Sequence, residues 1–283
     1  ERFKKLKYVD DRAREMNALV FGDFAHDVLK EFGKTVLESS ECDITDSKEV
    51  SRMLLGILKK KRVERFGENV VPAVTLQVEQ LKPRLAAFAE KQAKWAGEGW
   101  QIKAVEEPAS GDGISWPIKG GDPVHIRGRI DRIDYNPETN EWALLDYKTD
   151  AKGYSPDKKH RKRNDWVDLQ LPLYRHIALR GLVDENGEPL ITCEEERIKL
   201  GYISLPEDTD KTGFQIADWS KELLDSADDK TSEVILELQK GVVEFNSEIT
   251  KARSKIFPDD VLRPLLARGW KASDDDDTAG IAS

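Results

Sequence analysis

Apolar positions recur near every 3.6 residues over 11–35, where Met16, Leu19, Val20, Phe24, Val28, Leu29 and Phe32 predict a helix. Residues 47–68 and 72–97 predict two more, the second ending in Trp95 and Gly97. From about 101 the texture changes. Gln101 to Val105 reads as a strand, and Gly- and Pro-containing turns lead into two β-like segments joined by the polar turn 136–141. A polar loop is predicted over 158–163. A helix follows that Asp168 can cap, with Pro172 in its first turn, where the missing N–H costs nothing. Ile198 to Leu205 predicts another strand. Residues 219–252 predict one long helix or two starting near Trp219, and Pro258 and Pro264 punctuate the end. Helices, strands, helix, strand, helix is the order of an α/β domain with a helical N-terminal portion. No internal repeat is visible.

The segment from Gly128 to Lys148 carries the most information. It reads GRIDRID, a short turn, then LLDYK. Alternate residues of a strand share a face, so Asp146 and Lys148 point the same way. If Tyr135 pairs with Trp142 across the turn, Asp131 falls opposite Asp146. Like charges directly opposite one another destabilise a sheet. Two facing carboxylates beside a lysine therefore call for something positive between them. A divalent cation such as Mg²⁺ suits this, because it takes one or two carboxylates and fills its other positions with water and phosphate oxygens. For Asp-x-Lys alone a surface ion pair is the commoner explanation. The apolar setting and the facing Asp131 favour a site that does phosphoryl chemistry, in which lysine orients a water or offsets developing charge.

Composition narrows the classes. The chain has 283 residues, 35% of them charged and 39% hydrophobic, enough for one large domain or two small ones. No apolar run approaches the ~20 residues of a spanning helix, and no secretory signal is seen. The first residue is Glu1 rather than Met, compatible with a fragment of something longer. The two cysteines, Cys42 and Cys193, lie far apart, so disulfide and zinc scaffolds are not expected and a reducing, cytoplasmic setting is. A net charge of −9 argues mildly against a simple nucleic-acid binder. The charge is uneven, however. Four aspartates, Asp274 to Asp277, fall in an acidic tail over 271–283 that is expected to be disordered. Lys158, Lys159, Arg161, Lys162 and Arg163 form a basic run between Tyr154 and Trp166. That run suits phosphate contacts with an adjacent stacking surface, and its alternative is a solvated charge run.

Further candidates come with alternatives. Glu106, at the end of the 101–105 strand, is either a third carboxylate for the cation or a solvated neighbour of Glu107. His26 lies among Phe24, Val28, Leu29 and Phe32, and by itself such a histidine is more often a packed core residue than a ligand. Gln170 and Tyr174 stand at i and i+4 on one helix face, suited to contacting a phosphate or the lysine, on a helix that also buries Leu171, Leu173 and Ile177.

Taken together, FGxxxH on an early helix, GRIDRID, LLDYKT and DLQLPLY, in this order, resemble the nuclease domain of the RecB/AddB group within the PD-(D/E)XK superfamily. The resemblance spans roughly residues 17–205. It implies a central mixed sheet flanked by helices and a Mg²⁺- or Mn²⁺-dependent deoxyribonuclease. Carried over by position, His26, Asp131, Asp146 and the carbonyl of Tyr147 hold the metal, with Glu106 a less secure member. Lys148 is the catalytic lysine, and Gln170 and Tyr174 form the trailing Q-x-x-x-Y motif. The expected organisation is one nuclease domain over 1–270: a mostly helical portion 1–100, a catalytic core 101–205 and a C-terminal helical segment 206–270. Several relatives carry four cysteines around this domain for an iron–sulfur cluster. Those cysteines are missing here, so no cluster is expected.

The function expected is a RecB-like exonuclease acting on DNA in repair or recombination. Its rivals are a non-catalytic DNA-binding or helicase-associated module and an endonuclease on the same fold. The resemblance also implies work beside a superfamily 1 helicase, in the same chain or as a partner. No G-x-x-x-x-G-K-[ST] phosphate loop is present in this chain.

Overall fold

The computed structural model describes residues 15–39, 42–111, 113–118, 123–184 and 186–239. Three helices come first. α1 (Ala18–Glu38) starts at Asn17, whose side chain accepts the N–H of Val20. α2 (Ser47–Phe66) starts at Asp46, which accepts from Lys48, and stops at Gly67, whose φ of 78° suits a residue without Cβ. α3 (Pro72–Gly97) opens on a proline at its first position. The second and third helices fall where the apolar period predicted them. The first begins later than residue 11, and 11–14 lie outside the described residues.

Nine strands follow among the described residues: β1 (Gln101–Pro108), β2 (Ile114–Trp116), β3 (Val124–Ile126), β4 (Arg129–Asn136), β5 (Glu141–Lys148), β6 (Arg161–Lys162), β7 (Asp165–Trp166), β8 (Ile198–Ser204) and β9 (Gly213–Ile216). Interleaved with them are α4 (Pro156–His160), α5 (Gln170–Gly181) and α6 (Lys221–Gln239). The main sheet is mixed and five-stranded, in the order β1-β4-β5-β8-β9. β4 and β5 form the expected antiparallel hairpin, with Tyr135 opposite Trp142 and Arg132 opposite Leu145. Continued by one residue, that register sets Asp131 beside Asp146. The short strands β2, β3, β6, β7 and β9 were not anticipated, because runs of two to four residues are too brief to show a period.

The described chain divides into two compact units. One comprises the described residues up to Glu106, with Asp131–Tyr154 and Gly201–Ile216; the other comprises Glu107–Ile130, Ser155–Leu200 and the described residues from Ala217 on. In the first unit Phe24, Val28, Leu29 and Phe32 of α1, Leu54 and Leu58 of α2, and Leu81, Leu85 and Phe88 of α3 form one apolar core with Ala143, Leu145 and Tyr147 of β5. Each Val, Leu or Phe among them, fully buried, stabilises the fold by about 1.5–3 kcal/mol. The same face of β4 carries Arg132 and Asp134, both fully enclosed. Arg132 donates through Nε and Nη2 to the two oxygens of Asp134 and through Nη1 to Gln92, while Trp95 Nε1 donates to Asp134 Oδ2. The buried charges are thus paired and hydrogen-bonded, the condition for tolerating them.

In the second unit β2 and β3 pair as a hairpin, with Ile114 opposite Ile126. Arg175 of α5 is buried and donates to Glu195 at 2.5 Å and to Asp228 of α6 at 2.6 Å. The polar loop expected over 158–163 does not form. Residues 156–160 are instead the short helix α4, and Arg161 and Lys162 pair with Trp166 and Asp165 across a turn where Arg163 has φ 59°. Pro156 presets the first helical turn, and His160 is the buried anchor, 2.9 Å from the carbonyl oxygen of Asp168. The charges around them hid both signals. Asp168 stands one residue further from α5 than a capping residue does; the residue at the helix boundary is Leu169, yet Asp168 still accepts the N–H of Gln170 at 2.8 Å. α6 begins at Lys221, and the rest of the helix expected to 252, Pro258, Pro264 and the acidic tail lie outside the described residues. Among the described residues no helix is long and apolar enough to cross a membrane.

One contact sets how closely α1 approaches the sheet. A Cβ added to Gly33 would lie 2.6 Å from Cγ2 of the buried Val105 in β1. Gly33→Ala gains up to about 1 kcal/mol in helix propensity but forces a stiff β-branched neighbour aside, at about 1–3 kcal/mol. The variant is expected to unfold at lower urea concentration than wild type. A midpoint equal to or above wild type would show that this close packing is dispensable.

Candidate active site

One face of α1 is a ladder of four residues, at positions 22, 26, 30 and 33, each about one turn above the last. Gly22 brings the helix close to the end of β5: a Cβ there would meet Oγ1 of Thr149 at 3.3 Å. His26, one turn on, has Nε2 2.8 Å from the carbonyl oxygen of Tyr147, and its Nδ1 is 3.6 Å from Oδ2 of Asp131. Lys30 places Nζ 3.3 Å from Oε2 of Glu106. Gly33 then rests on Val105, the residue before Glu106. The FGxxxH spacing is thereby explained: glycine gives the approach and histidine uses it.

The carboxylates come from the sheet. Asp131 is buried, and its Oδ2 accepts the backbone N–H of Tyr147 at 2.9 Å, which locks the β4 side chain to β5. Glu106 reaches inward from a left-handed backbone, φ 58°, rare for a residue with a side chain. Its place in β1 coincides with a break in alternation, since Ala104 and Val105 are both buried. Single ligand atoms of His26, Glu106 and Asp131 all lie within 4.8 Å of one another. Asp146 is buried on the same face, with Oδ2 2.5 Å from Nζ of Lys148. The lysine ammonium also lies 5.2 Å from the ring centroid of Tyr202 in β8, a cation–π contact that restrains it.

Burial pushes the Asp131 carboxyl up to about 7, with Asp146 adding to the rise and His26 opposing it. Glu106 also raises it, and the Tyr147 N–H lowers it. An acid so placed holds its proton unless positive charge replaces it.

A family model of the PD-(D/E)XK nuclease superfamily matches residues 2–251. The chain belongs to this superfamily. Comparison with curated proteins gives no significant match.

Nucleases of this superfamily usually use divalent metals, and the donor set of this nuclease fits one. A carbonyl oxygen only accepts, so Nε2 of His26 carries the hydrogen in its contact with Tyr147. The Nδ1 lone pair then faces a carboxylate oxygen, an arrangement that requires a proton or a cation between them. His26, Glu106 and Asp131, a nitrogen and two oxygen donors, are the residues that would hold such an ion.

Of the residues singled out from sequence, the first unit brings together His26, Glu106, Asp131, Asp146, Tyr147 and Lys148. Between the two adjacent glutamates it is Glu106 that joins the cluster, while Glu107 belongs to the second unit, where burial raises its carboxyl. Gln170 and Tyr174 also belong to the second unit and share a face as expected, with Nε2 of Gln170 donating to the tyrosine hydroxyl at 2.7 Å. Lys158, Lys159, Arg161, Lys162 and Arg163 lie in that unit too, with Lys158, Lys162 and Arg163 exposed. Sequence reasoning missed Lys30 and Tyr202. Lys30 was findable, since it stands four residues after His26; Tyr202 carries no local signal.

The tighter hold of Asp131 on its proton has a sign that can be checked without substrate. Below about 4 both folded and unfolded chains hold the proton. Between about 4 and 7 the unfolded chain releases it first, so this group's contribution to stability falls as pH rises and levels off above 7. In chelator, the melting temperature of wild type is expected to drop relative to that of Asp131→Asn between pH 5 and pH 7.5. Parallel curves for the two proteins would refute the raised value.

Proposed function

We propose that the chain is a Mg²⁺- or Mn²⁺-dependent deoxyribonuclease of the RecB type, an exonuclease that hydrolyses phosphodiester bonds in DNA repair or recombination. The observation that carries this reading is the convergence of His26, Glu106 and Asp131 within 4.8 Å, beside the Asp146–Lys148 pair. Nδ1 of His26, Asp131 and Glu106 would hold the cation, and Asp146 and the Tyr147 carbonyl would complete the set. When bound, the cation supplies Lewis acidity toward the scissile phosphate and acidifies a water.

The protein's own groups do the rest. The Tyr147 carbonyl accepts from Nε2 of His26, which in the neutral ring turns the Nδ1 lone pair toward Asp131. Asp131, whose carboxyl burial pushes up to about 7, would give up its proton in holding the cation. Asp146 and the Tyr202 ring hold the Lys148 ammonium in place. From there its N–H groups orient the attacking water or donate to a non-bridging phosphate oxygen, where charge grows in the transition state. The exposed cations of the second unit, Lys158, Lys162 and Arg163, contact the sugar–phosphate backbone, and Gln170 and Tyr174 guide the strand. The sequence resemblance further suggests a superfamily 1 helicase as the protein that feeds DNA to this site.

Labelled linear and covalently closed circular DNA, incubated with Mg²⁺, test the catalytic reading. Linear ends are expected to be degraded and closed circles spared, with Asp146→Ala and Lys148→Ala each lowering the rate by a factor of about 10² to 10³. Equal rates in all three proteins would remove the site; cut circles would make the enzyme an endonuclease; tight DNA binding without any cleavage would leave a binding module.

The basic segment is tested by salt dependence. Replacing Lys158, Lys162 and Arg163 together with glutamine is expected to weaken DNA binding. The slope of log affinity against log salt should fall by nearly one for each phosphate that is no longer neutralised. An unchanged slope would mean that these cations touch no phosphate.

A further inference from the structure

Lys30 has no role in the catalytic scheme, yet its ammonium sits inside the candidate site, 3.3 Å from one of the carboxylates that would hold the cation. The pair is well enclosed: the Glu106 side chain is 9% exposed and that of Lys30 32%. Glu106 is offered to the cluster from a φ of 58°, a conformation that persists only where the surroundings enforce it. Lys30 comes from a rigid helix and is one turn from His26, so both groups are fixed by the same face of α1. Three carboxylates, Glu106, Asp131 and Asp146, face two ammonium groups, Lys30 and Lys148. With all three carboxylates ionised, as they are when holding a cation, that leaves one net negative charge. A single divalent cation reverses it to one net positive, and the single negative charge of a phosphodiester then neutralises the whole. A second divalent cation would leave two positive charges uncompensated.

We propose that Lys30 is a built-in monovalent cation that positions Glu106 and occupies the place of a second metal ion, limiting the site to one divalent cation. The inference rests on the metal-site reading proposed for this chain but concerns stoichiometry rather than activity. Lys30 acts through Glu106 and is a positioning residue. Its ammonium holds Oε2 of that carboxylate and competes there with any further cation. Without it, Glu106 and Asp131 present enough unbalanced charge to take a second ion.

The test is Mn²⁺ titration of the full chain without DNA, read by calorimetry and by the electron-paramagnetic signal of unbound Mn²⁺. Wild type and Lys30→Arg are expected to bind one ion per chain, Lys30→Met two, and Lys30→Met combined with Glu106→Gln one again. In Lys30→Met, two neighbouring ions should also broaden the bound-Mn²⁺ spectrum by spin–spin coupling, a change that mere loosening of structure would not produce. One ion in Lys30→Met overturns the role of Lys30 while leaving the metal site standing. Two ions of similar affinity in wild type overturn it too, whether or not any variant folds. No ion bound by wild type overturns both this inference and the reading it rests on.

Discussion

A carboxylate removed from water next to a second carboxylate is the constraint on which this site depends. Asp131 is held by the Tyr147 amide, pressed by Asp146 and faced at 3.6 Å by Nδ1 of His26. Burial and the neighbouring Asp146 together push its carboxyl up to about 7. The strands cannot relieve the strain by moving apart, because their pairing continues into the rest of the hairpin. The fold therefore stores a demand for positive charge at one place. Preorganised demand of this kind lets a site recruit an ion without rearranging.

α1 converts that demand into geometry. Its buried side, with Phe24, Val28, Leu29 and Phe32, fixes the helix on the core. Its adjoining polar side then has no freedom in where it delivers an imidazole and an ammonium. Two glycines on the same stripe set the height of the helix above the sheet. Positions separated by a single turn thus serve three different strand ends, and the helix works as a template more than as a wall.

Much of this was legible in the sequence, for identifiable reasons. The hairpin register followed from aromatic pairing of Tyr135 with Trp142 and from period-2 alternation, both local properties. The long helices announce themselves by period, and the bounds of 72–97 agree with the structure where a proline opens the helix and a glycine ends it. Glu106 could not be separated from Glu107, because the choice depends on a left-handed backbone angle that composition does not reveal. Lys30 was passed over since its partner lies 76 positions away. The basic run read as a loop because its single buried anchor, His160, sits among solvated charges.

The repeated tripeptide in GRIDRID shows how correct pairing is enforced. Its two aspartates are three residues apart, so they point to opposite sides of β4: one toward the candidate site, the other to the buried Arg132 fork. Sliding β4 by one position against β5 would exchange the two sides. It would turn Asp131 into the apolar layer with no guanidinium beside it and leave Gln92 and Trp95 without their partners, a cost of several kcal/mol. A misaligned hairpin is thus unstable in its own right, before any catalytic defect is felt. The sequence makes an inactive but well-folded slip product nearly inaccessible, and a cell carrying this protein would meet either the competent form or an unfolded chain open to proteolysis.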